Sequence, residues 1–409
     1  MTNKIISLFS GIGGLDLGFE ATGFSLAIAV EKDPHCVELL RVNRPEWRVS
    51  NTGDINDLTS RTLLKQAGLK KREAALLIGG PPCQPFSKSR LWVNGNAPGL
   101  KDSRAATIDE FFRVLNDTLP RAVVLENVSG FATPKNNGPI SRIENYFREI
   151  NISNKTKYRP TILNLNAADY GVPQGRRRVF IVAERSGRVL RMICPTHASA
   201  QYSNEIEIGL QPFATAWDAI GDLDFPNRDP ELKLTGKWAD LIPSIPEGNN
   251  YLWHTERGGG LPIFGWRTRY WSFLLKLSKR DPSWTLQATP GPATGPFHWR
   301  NRRLSIREMA RIQTFPDTFK FNGDYREATR QLGNAVPPAL SEVLAREVMT
   351  QFFDNDKLNS VVFQPTRSQQ IPRRYPVKPV PPKFLKFQAR HSAHPGVGKG
   401  PRATSAWSK

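Results

Sequence analysis

One cysteine lies in a segment whose composition favours exposure and a fixed geometry. The segment reads GGPPCQPFS over residues 79–87, so Cys83 has prolines close by on both sides and follows an apolar run that predicts a buried strand. Because proline fixes φ and restricts the residue before it, the thiol is held in one direction. With an ordinary pKa of about 8.5, only a small part of the thiol is ionised at neutral pH, so a nucleophile here needs positive neighbours. A single cysteine is more often a small buried side chain, but these prolines favour a nucleophile.

A second set of residues could hold a nucleoside. Residues 10–14 read SGIGG between a predicted strand and a predicted helix, and glycines let the backbone turn tightly and approach a ligand. Glu31 ends the next predicted strand, where a carboxylate can accept hydrogen bonds from ribose hydroxyls, and Asp54 ends a third segment and could accept from an adenine amine. A glycine-rich turn alone is also compatible with a plain strand–helix connection. The imperfect match to GxGxxG makes NAD the poorer candidate.

These residues need a sheet whose strand ends meet at one edge. The first 185 residues alternate short apolar runs with amphipathic stretches, which predicts an α/β, Rossmann-like, mostly parallel sheet with helices on both faces. The predicted strands are 5–9, 26–30, 75–78, 122–125, 161–165 and 179–183, and the predicted helices are 14–21, 34–43, 103–118 and 140–150.

The rest of the chain is organised differently. Residues 186–317 are mostly rich in Pro, Gly and Trp and poor in periodicity, which predicts a smaller loop-rich domain. Residues 318–356, with an amphipathic pattern at 338–353, predict a return to the first domain, residues 1–185. From 357 to 409 the sequence is basic and Pro-rich without an Asp or Glu, so we expect a disordered tail.

Charge and cysteine usage narrow the functional classes. The net charge is +20, and both the tail and the remainder are basic, which favours a polyanion such as nucleic acid, although charge alone also fits a solvated surface. The three cysteines lie far apart, which predicts neither disulfides nor a metal site and favours an intracellular location. No apolar run approaches the ~20 residues of a membrane span, and we expect no signal peptide.

Six segments in a fixed order give the chain a specific resemblance. They are FSGIGG (9–14), GGPPCQPFS (79–87), LENV (125–128), QGRRR (174–178), RLSIREMARIQTFP (303–316) and QLGNAVPP (331–338). They resemble the methionine-binding turn, catalytic loop, glutamate motif, QxRxR motif, late helical motif and final block of the C5-cytosine-specific DNA methyltransferase family. The resemblance covers everything except the middle domain and the tail. It implies the fold of class I methyltransferases that use S-adenosylmethionine.

The resemblance implies a covalent mechanism. The Cys83 thiolate would attack C6 of cytosine and make C5 able to accept a methyl group. Glu126 would donate to N3 and hold the amino group, the alternative being a strand-end carboxylate paired with an arginine. Arg178 would bind O2, and Gln174 and Arg176 would steady the loop or phosphates. We prefer a phosphate-binding role for Arg177.

The same resemblance implies an S-adenosylmethionine site where the glycine turn meets the final block. The block 102–104, reading DSR, is similar to a helix start that also borders this site. The residues expected to bind the cofactor are Phe9, Gly11, Ile12, Gly13, Gly14, Glu31, Asp54, Ile55, Pro81, Asn334 and Val336.

Double-stranded DNA is the expected partner. A protein nucleophile cannot reach a base inside a duplex, so the cytosine must be flipped out at a cost of a few kcal/mol. Residues 186–300 occupy the place of the family's target-recognition domain, where basic and aromatic loops can contact phosphates and base edges. Ser87, Arg267 and Arg269 are candidate DNA contacts. We expect a cytoplasmic monomer that associates with the nucleoid through DNA, without metal or membrane.

Three alternatives differ in function. An RNA cytosine-C5 methyltransferase of the transfer-RNA type would carry a Cys-Phe-Thr signature, which this sequence lacks. An inactive DNA-binding homologue would have lost the cysteine or the glutamate, and Cys83 and Glu126 are both present. An NAD-linked oxidoreductase leaves PPCQPFS unexplained. The compact plan resembles bacterial enzymes that protect DNA from a cognate restriction endonuclease, and the target sequence is not readable from these residues.

Overall fold

Ten strands are present in the computed structural model, which describes residues 3–82, 106–132, 137–199, 209–226, 229–265, 269–356, 358–365 and 370–388. The strands are β1 (Lys4–Leu8), β2 (Ser25–Val30), β3 (Leu76–Gly79), β4 (Ala122–Val128), β5 (Thr161–Asn166), β6 (Gln174–Gly175), β7 (Arg177–Glu184), β8 (His197–Ala198), β9 (Gln211–Pro212) and β10 (Ser283–Trp284). Six of them form the central sheet in the order β2–β1–β3–β4–β7–β5.

The central sheet is mostly parallel. Strands β2, β1, β3 and β4 are parallel neighbours, whereas β7 lies antiparallel between β4 and β5. Only residues 167–176 separate β5 from β7, which is too short for a parallel crossover, so the chain returns in the opposite direction. The predicted fold class is confirmed, with this one strand reversed.

The helices cover both faces of the sheet. They are α1 (Gly14–Glu20), α2 (Pro34–Asn43), α3 (Ser60–Ala67), α4 (Ala106–Thr118), α5 (Asn137–Asn154), α6 (Ala216–Ile220), α7 (Ile306–Ile312), α8 (Tyr325–Asn334) and α9 (Pro338–Phe353). Alternating residues of β1 face opposite clusters: Ile6 packs with side chains of α3 to α5, and Ile5 packs with α1 and α9. Two hydrophobic cores of this kind fix the sheet from both sides.

Helix α1 crosses α9 at very short range. A Cβ atom at Gly18 would lie 2.4 Å from both Ser341 Cβ and the Glu342 backbone nitrogen, so only glycine allows this approach. The Ser341 hydroxyl donates to the Leu15 carbonyl at 2.5 Å. The last long helix of the chain is thereby fixed against the helix that follows the glycine-rich turn.

Residues 209–302 contain little regular structure. Short 3-10 turns and loops surround a separate cluster that includes Leu241, Ile245, Tyr251, Phe264 and Phe273. This part is also joined to the sheet domain, because Leu277, Leu286 and Trp299 belong to the same apolar cluster as side chains of α1 and α2. We call residues 209–302 the loop-rich domain.

The expectation of a disordered tail from residue 357 is wrong for residues 358–365 and 370–388. Phe384 is buried, and its ring stacks on Trp238 with centroids 5.6 Å apart and an interplanar angle of 15°. The backbone N–H of Lys378 donates to the Pro243 carbonyl at 3.0 Å, and those of Val362 and Phe363 donate to Glu342. A basic, Pro-rich composition conceals the few apolar side chains that suffice for docking. We call residues 370–388 the strap.

Candidate active site

A cleft of about 1510 Å³ opens at the carboxyl ends of the parallel strands. One wall comes from the loops after β1, β2, β3 and β4, and the other comes from residues 281–289 and from the end of α8. The chain leaves β1 toward β2 on one side and then returns to β3 on the other. Ligands of open α/β sheets bind at such a switch point, so this cleft is the candidate site.

The glycine-rich turn forms one end of the cleft. Gly11 and Gly13 have φ values of +54° and +81°, in the left-handed region that favours glycine. A Cβ atom at Gly14 would lie 2.2 Å from the Val336 carbonyl oxygen, so the turn and the segment after α8 are in close contact. Every residue predicted to bind the cofactor lines the cleft except Gly13, whose Cβ position instead faces Trp47 and Leu40.

Two carboxylates follow the next strands at the same end. Glu31 accepts hydrogen bonds from the backbone N–H groups of Gly11 (2.7 Å) and Asp33 (2.8 Å), and burial raises its pKa. Asp54 pairs with Lys32 and accepts from the Asn56 backbone at 3.0 Å, and the Lys32 hydrogen bond is the main cause of its lowered pKa. Asp54 is therefore kept ionised. The hydrogen bond from Gly11 fixes the Glu31 carboxylate against the glycine-rich turn.

Glu126 and Arg178 form a pair at the centre of the cleft. Arg178 Nε lies 2.8 Å from Glu126 Oε1, and each side chain is 12% exposed. Antiparallel pairing of β4 with β7 places Arg178 opposite Val128, two residues from Glu126 on the same face. Burial raises the pKa of Glu126, while the charges of Arg178 and Arg176 lower it. A buried carboxyl with this balance can hold or donate a proton to a polar ligand.

Gln174 and Arg176 connect the two walls rather than face a ligand. Gln174 Nε2 donates to Gln313 Oε1 at 2.9 Å, and its Oε1 accepts from the Leu286 backbone at 3.0 Å. Arg176 donates to the carbonyls of Leu286 (3.2 Å) and Gly333 (2.6 Å). Both side chains are fully buried, and burial lowers the pKa of Arg176. Of the two roles considered for them, this placement favours steadying the loop over binding phosphates.

The loop that leads to Cys83 leaves the sheet beside Glu126. A Cβ atom at Gly80 would lie 2.8 Å from Glu126 Oε2, and Pro81 and Pro82 line the cleft. The predicted positions Cys83, Ser87 and Arg267 and the block 102–104 lie outside the described residues. Arg269 is exposed and lies over the Phe273 ring at 5.2 Å, away from the residues that line the cleft.

Residues 3–350 match the family described as C-5 cytosine-specific DNA methylase. The chain belongs to this family. The predicted family and enzyme class, a DNA (cytosine-5)-methyltransferase, are therefore confirmed. The matched residues end before the strap.

Relatives of this methylase are known from bacteria. The type II methyltransferase M.SacI of Streptomyces achromogenes is 39% identical over 371 residues, which cover 85% of this chain and 93% of that protein. The type II methyltransferase M.NgoFVII of Neisseria gonorrhoeae is 34% identical and is matched over 88% of its length by 86% of this chain. The predicted link to restriction–modification systems agrees with these names.

Solved structures show the same fold at low identity. A protein encoded within an E. coli prophage, described as a DNA modification methyltransferase, superposes with a TM-score of 0.61 and 22% identity over 86% of this chain and 99% of that one. The Entamoeba histolytica methyltransferase EhMeth gives a TM-score of 0.56 and 18% identity over 87% of this chain and 98% of that one. These likenesses support the methylase fold.

Several residues of the methylase cleft were not predicted from the sequence. Asp16 and Gln331 are buried, line the cleft and have no partner with good hydrogen-bond geometry for their side-chain oxygens. Trp284 also lines it and is 44% exposed. An acidic residue in the first turn after a glycine-rich loop is a usable signal for Asp16. Trp284 carries no comparable signal, because nothing local distinguishes it from the other tryptophans of the loop-rich domain.

Neither a metal site nor a membrane-spanning helix is present in the part of the chain that the structure describes. No group of three His, Cys, Asp or Glu side chains there could hold a metal ion. No described helix is both long and apolar enough to cross a bilayer.

Proposed function

We propose that the chain transfers a methyl group from S-adenosylmethionine to C5 of a flipped cytosine in double-stranded DNA, with Cys83 as the covalent nucleophile. The observation that carries this proposal is the convergence of three features on one cleft. The loop that leads to Cys83, the Glu126–Arg178 pair and the glycine turn all line it. The family assignment supplies the reaction class.

The order of bond changes follows from the reactivity of cytosine. Carbon C5 is too weak a nucleophile on its own, so the Cys83 thiolate first adds to C6 and makes C5 enamine-like. The activated C5 would take the electrophilic methyl group that a bound S-adenosylmethionine supplies, as the bond between methyl and sulfonium sulfur breaks. A base then removes the C5 proton, and the returning electron pair expels Cys83 from C6.

Glu126 would stabilise the ring during this sequence. Negative charge develops on the N3 side of the pyrimidine when the thiolate adds, and a proton held at the Glu126 carboxyl neutralises it. Burial favours that protonated form, and Arg178 opposes it. Arg178 would donate to O2 of the cytosine, so the paired side chains would hold two adjacent edges of one ring.

The residues at the other end of the cleft fit the cofactor. The backbone of the glycine turn leaves space for the amino-acid part, since Gly11 has no atom within 4 Å of its Cβ position. Glu31 would accept from the ribose hydroxyls, and Asp54 and Ile55 would contact the adenine. Pro81, Asn334 and Val336 would close the site between adenosine and cytosine.

The substrate would be a base turned out of a duplex. The cleft volume of about 1510 Å³ is large enough for a nucleoside cofactor and a pyrimidine together. Pocket contacts must offset the few kcal/mol of lost pairing and stacking. Ser87, Arg267 and Arg269 would contact the DNA from the rim. We further propose a cytoplasmic, nucleoid-associated monomer that needs no metal and protects DNA from a cognate restriction enzyme.

Methylation in a host that lacks related enzymes tests this function. Bisulfite sequencing of host DNA after expression should show 5-methylcytosine at one recurring sequence. Modified transfer RNA with unmodified DNA would instead establish the RNA enzyme as the function. A chain with Cys83→Ala should leave the DNA unmodified, and Cys194→Ala, at an exposed cysteine, is the matched control.

A second experiment tests the covalent step. DNA with 5-fluorocytosine at the target cannot lose its C5 substituent as a proton, so the adduct should persist in the presence of S-adenosylmethionine. Mass spectrometry should map it to Cys83. Normal DNA methylation by Cys83→Ala would contradict the mechanism.

A further inference from the structure

The cofactor end of the cleft contains one carboxylate that the proposed function leaves unused. Asp16 lies in the first turn of α1, directly after the glycine-rich turn, and is only 2% exposed. Neither of its carboxylate oxygens has a partner with good hydrogen-bond geometry, and only the nearby Ser7 hydroxyl and the Asp16 backbone N–H act to lower its pKa. The Ser7 hydroxyl is hydrogen-bonded to the Ser10 hydroxyl, with 2.9 Å between the two oxygens. An ionised carboxylate in this state is costly, because its lost hydration is not replaced.

The charged groups around Asp16 are negative. The charged groups that act most on it among the described residues are Glu20 and Glu31, and both are acidic. Burial, with the help of these two charges, raises the pKa of Asp16 to about 7. The rest of the fold gives no structural reason for a carboxyl here, since the adjacent α1 residues Leu15 and Leu17 are simply buried in apolar clusters.

Asp16 is nevertheless in contact with the cleft. It lines the cavity together with Ser7, Ser10, Gly11 and Gly14. A group that binds beside the glycine turn would therefore lie next to Asp16. A cation with hydrogen-bond donors is the group that compensates a buried carboxylate best.

We propose that Asp16 binds the α-ammonium group of the amino-acid part of the cofactor. This inference rests on the proposed function, because that function supplies a ligand with an ammonium group at the glycine turn. The ligand has a second cation, the sulfonium, but a sulfonium has no N–H to donate and must lie toward the Cys83 end for methyl transfer. Asp16 thus selects ligands that carry the amino-acid group.

Binding measurements without DNA test the assignment. Isothermal titration calorimetry at pH 8 would compare S-adenosylhomocysteine with its deaminated analogue, in which hydrogen replaces the ammonium. The wild-type chain should bind the first at least about tenfold more tightly, as expected for a buried charge-assisted hydrogen bond. Asp16→Asn should weaken the binding of S-adenosylhomocysteine by a similar factor and leave the affinity for the analogue nearly unchanged. Asp356→Asn, at an exposed carboxylate outside the cleft, should change neither.

Each contrary result has a definite meaning. If the wild-type chain binds both ligands equally, or if Asp16→Asn weakens both by the same factor, the assignment is overturned. The wild-type comparison needs no variant, so it decides the matter even if Asp16→Asn does not fold. Ligand discrimination by a chain that leaves DNA unmodified would support the Asp16 assignment while contradicting the proposed function. Absence of binding to either ligand would overturn both.

Discussion

The two walls of the cleft are stabilised by different physical means. The sheet domain relies on backbone ladders and two continuous apolar clusters, with β1 contributing residues to both. The loop-rich domain has only very short strands, and it adds buried ion pairs to its own apolar cluster. Lys279 Nζ lies 2.6 Å from Glu247 Oε1 with side-chain exposures of 1% and 2%, and Arg302 donates to both oxygens of Glu308 at 2.7 and 2.6 Å.

This difference shows what each wall can tolerate. A surface built on backbone hydrogen bonds accepts most side-chain changes outside its core, so chemistry can be placed at its strand ends. A surface held by a few buried ion pairs can change its loops freely, but it loses stability abruptly when one partner is removed. The following predictions test this contrast.

The largest effect is expected in the sheet domain at Glu126. Glu126→Gln removes the titratable proton but retains the shape, so kcat for DNA methylation should fall about 10²- to 10⁴-fold. Thermal stability should change little by comparison. Glu144→Gln, on the exposed face of α5, should retain normal kcat. Full activity of Glu126→Gln would remove Glu126 from the mechanism.

A large loss of stability is expected in the loop-rich domain at Glu247. Glu247→Ala leaves the Lys279 ammonium buried without its partner and removes the acceptor of the Tyr375 backbone N–H (2.9 Å). The free energy of unfolding, measured with urea, should fall by about 3–5 kcal/mol. Asp240→Ala removes the exposed pair with Lys383 and should cost no more than about 1 kcal/mol. If both variants lost a similar free energy of unfolding, the buried ion pair would not be what stabilises this domain.

The strap provides a third test. Phe384→Ala removes a buried ring from its stack on Trp238, and the unfolding free energy should fall by about 3 kcal/mol. The matched change is Leu385→Ala, because Leu385 is the next residue and is 47% exposed. Limited proteolysis should cut the strap faster only in the Phe384 variant. Equal cleavage would show that the strap is not docked through Phe384.

A smaller effect is expected between two helices of the sheet domain. Gly18→Ala places a methyl group against Ser341 and the Glu342 backbone, so α1 and α9 must separate, at a cost of about 1–3 kcal/mol. Gly138→Ala in α5 meets no atom within 4 Å and should be neutral or slightly stabilising. Urea unfolding of both variants checks this difference.

Much of the sheet domain could be predicted from the sequence because its signals are local. The apolar run before Gly79 predicts β3, and a glycine turn after β1 predicts the end of the sheet where Glu31 and Asp54 then lie. Pairing of Glu126 with an arginine was one alternative from the sequence, but that Arg178 is this arginine was not predictable in the same way. The pairing depends on the antiparallel register of β4 with β7, which no local pattern specifies.

The loop-rich domain and the strap could be predicted only in outline. Irregular structure has no periodicity, so the sequence predicted a separate domain but none of its contacts. Phe384 was concealed by the prolines and lysines around it, and its docking depends on Trp238, about 150 positions away along the chain. Asp16 carries a local signal, an acidic residue directly after the glycine turn, but its burial and its weak hydrogen bonding are evident only from coordinates.

The buried bonds of Gln174 and Arg176 have a consequence for how a duplex could enter. They join the floor of the cleft to Leu286, Gln313 and Gly333, so the two walls cannot move apart as separate bodies without breaking several shielded hydrogen bonds. A widening that keeps these bonds and moves the walls as bodies would be a rotation about the residues that the bonds join, with the rim of the cleft opening further than its base. The floor would act as a pivot, and Glu126 and Arg178 would keep their spacing from the glycine turn while the mouth adjusts to the width of DNA.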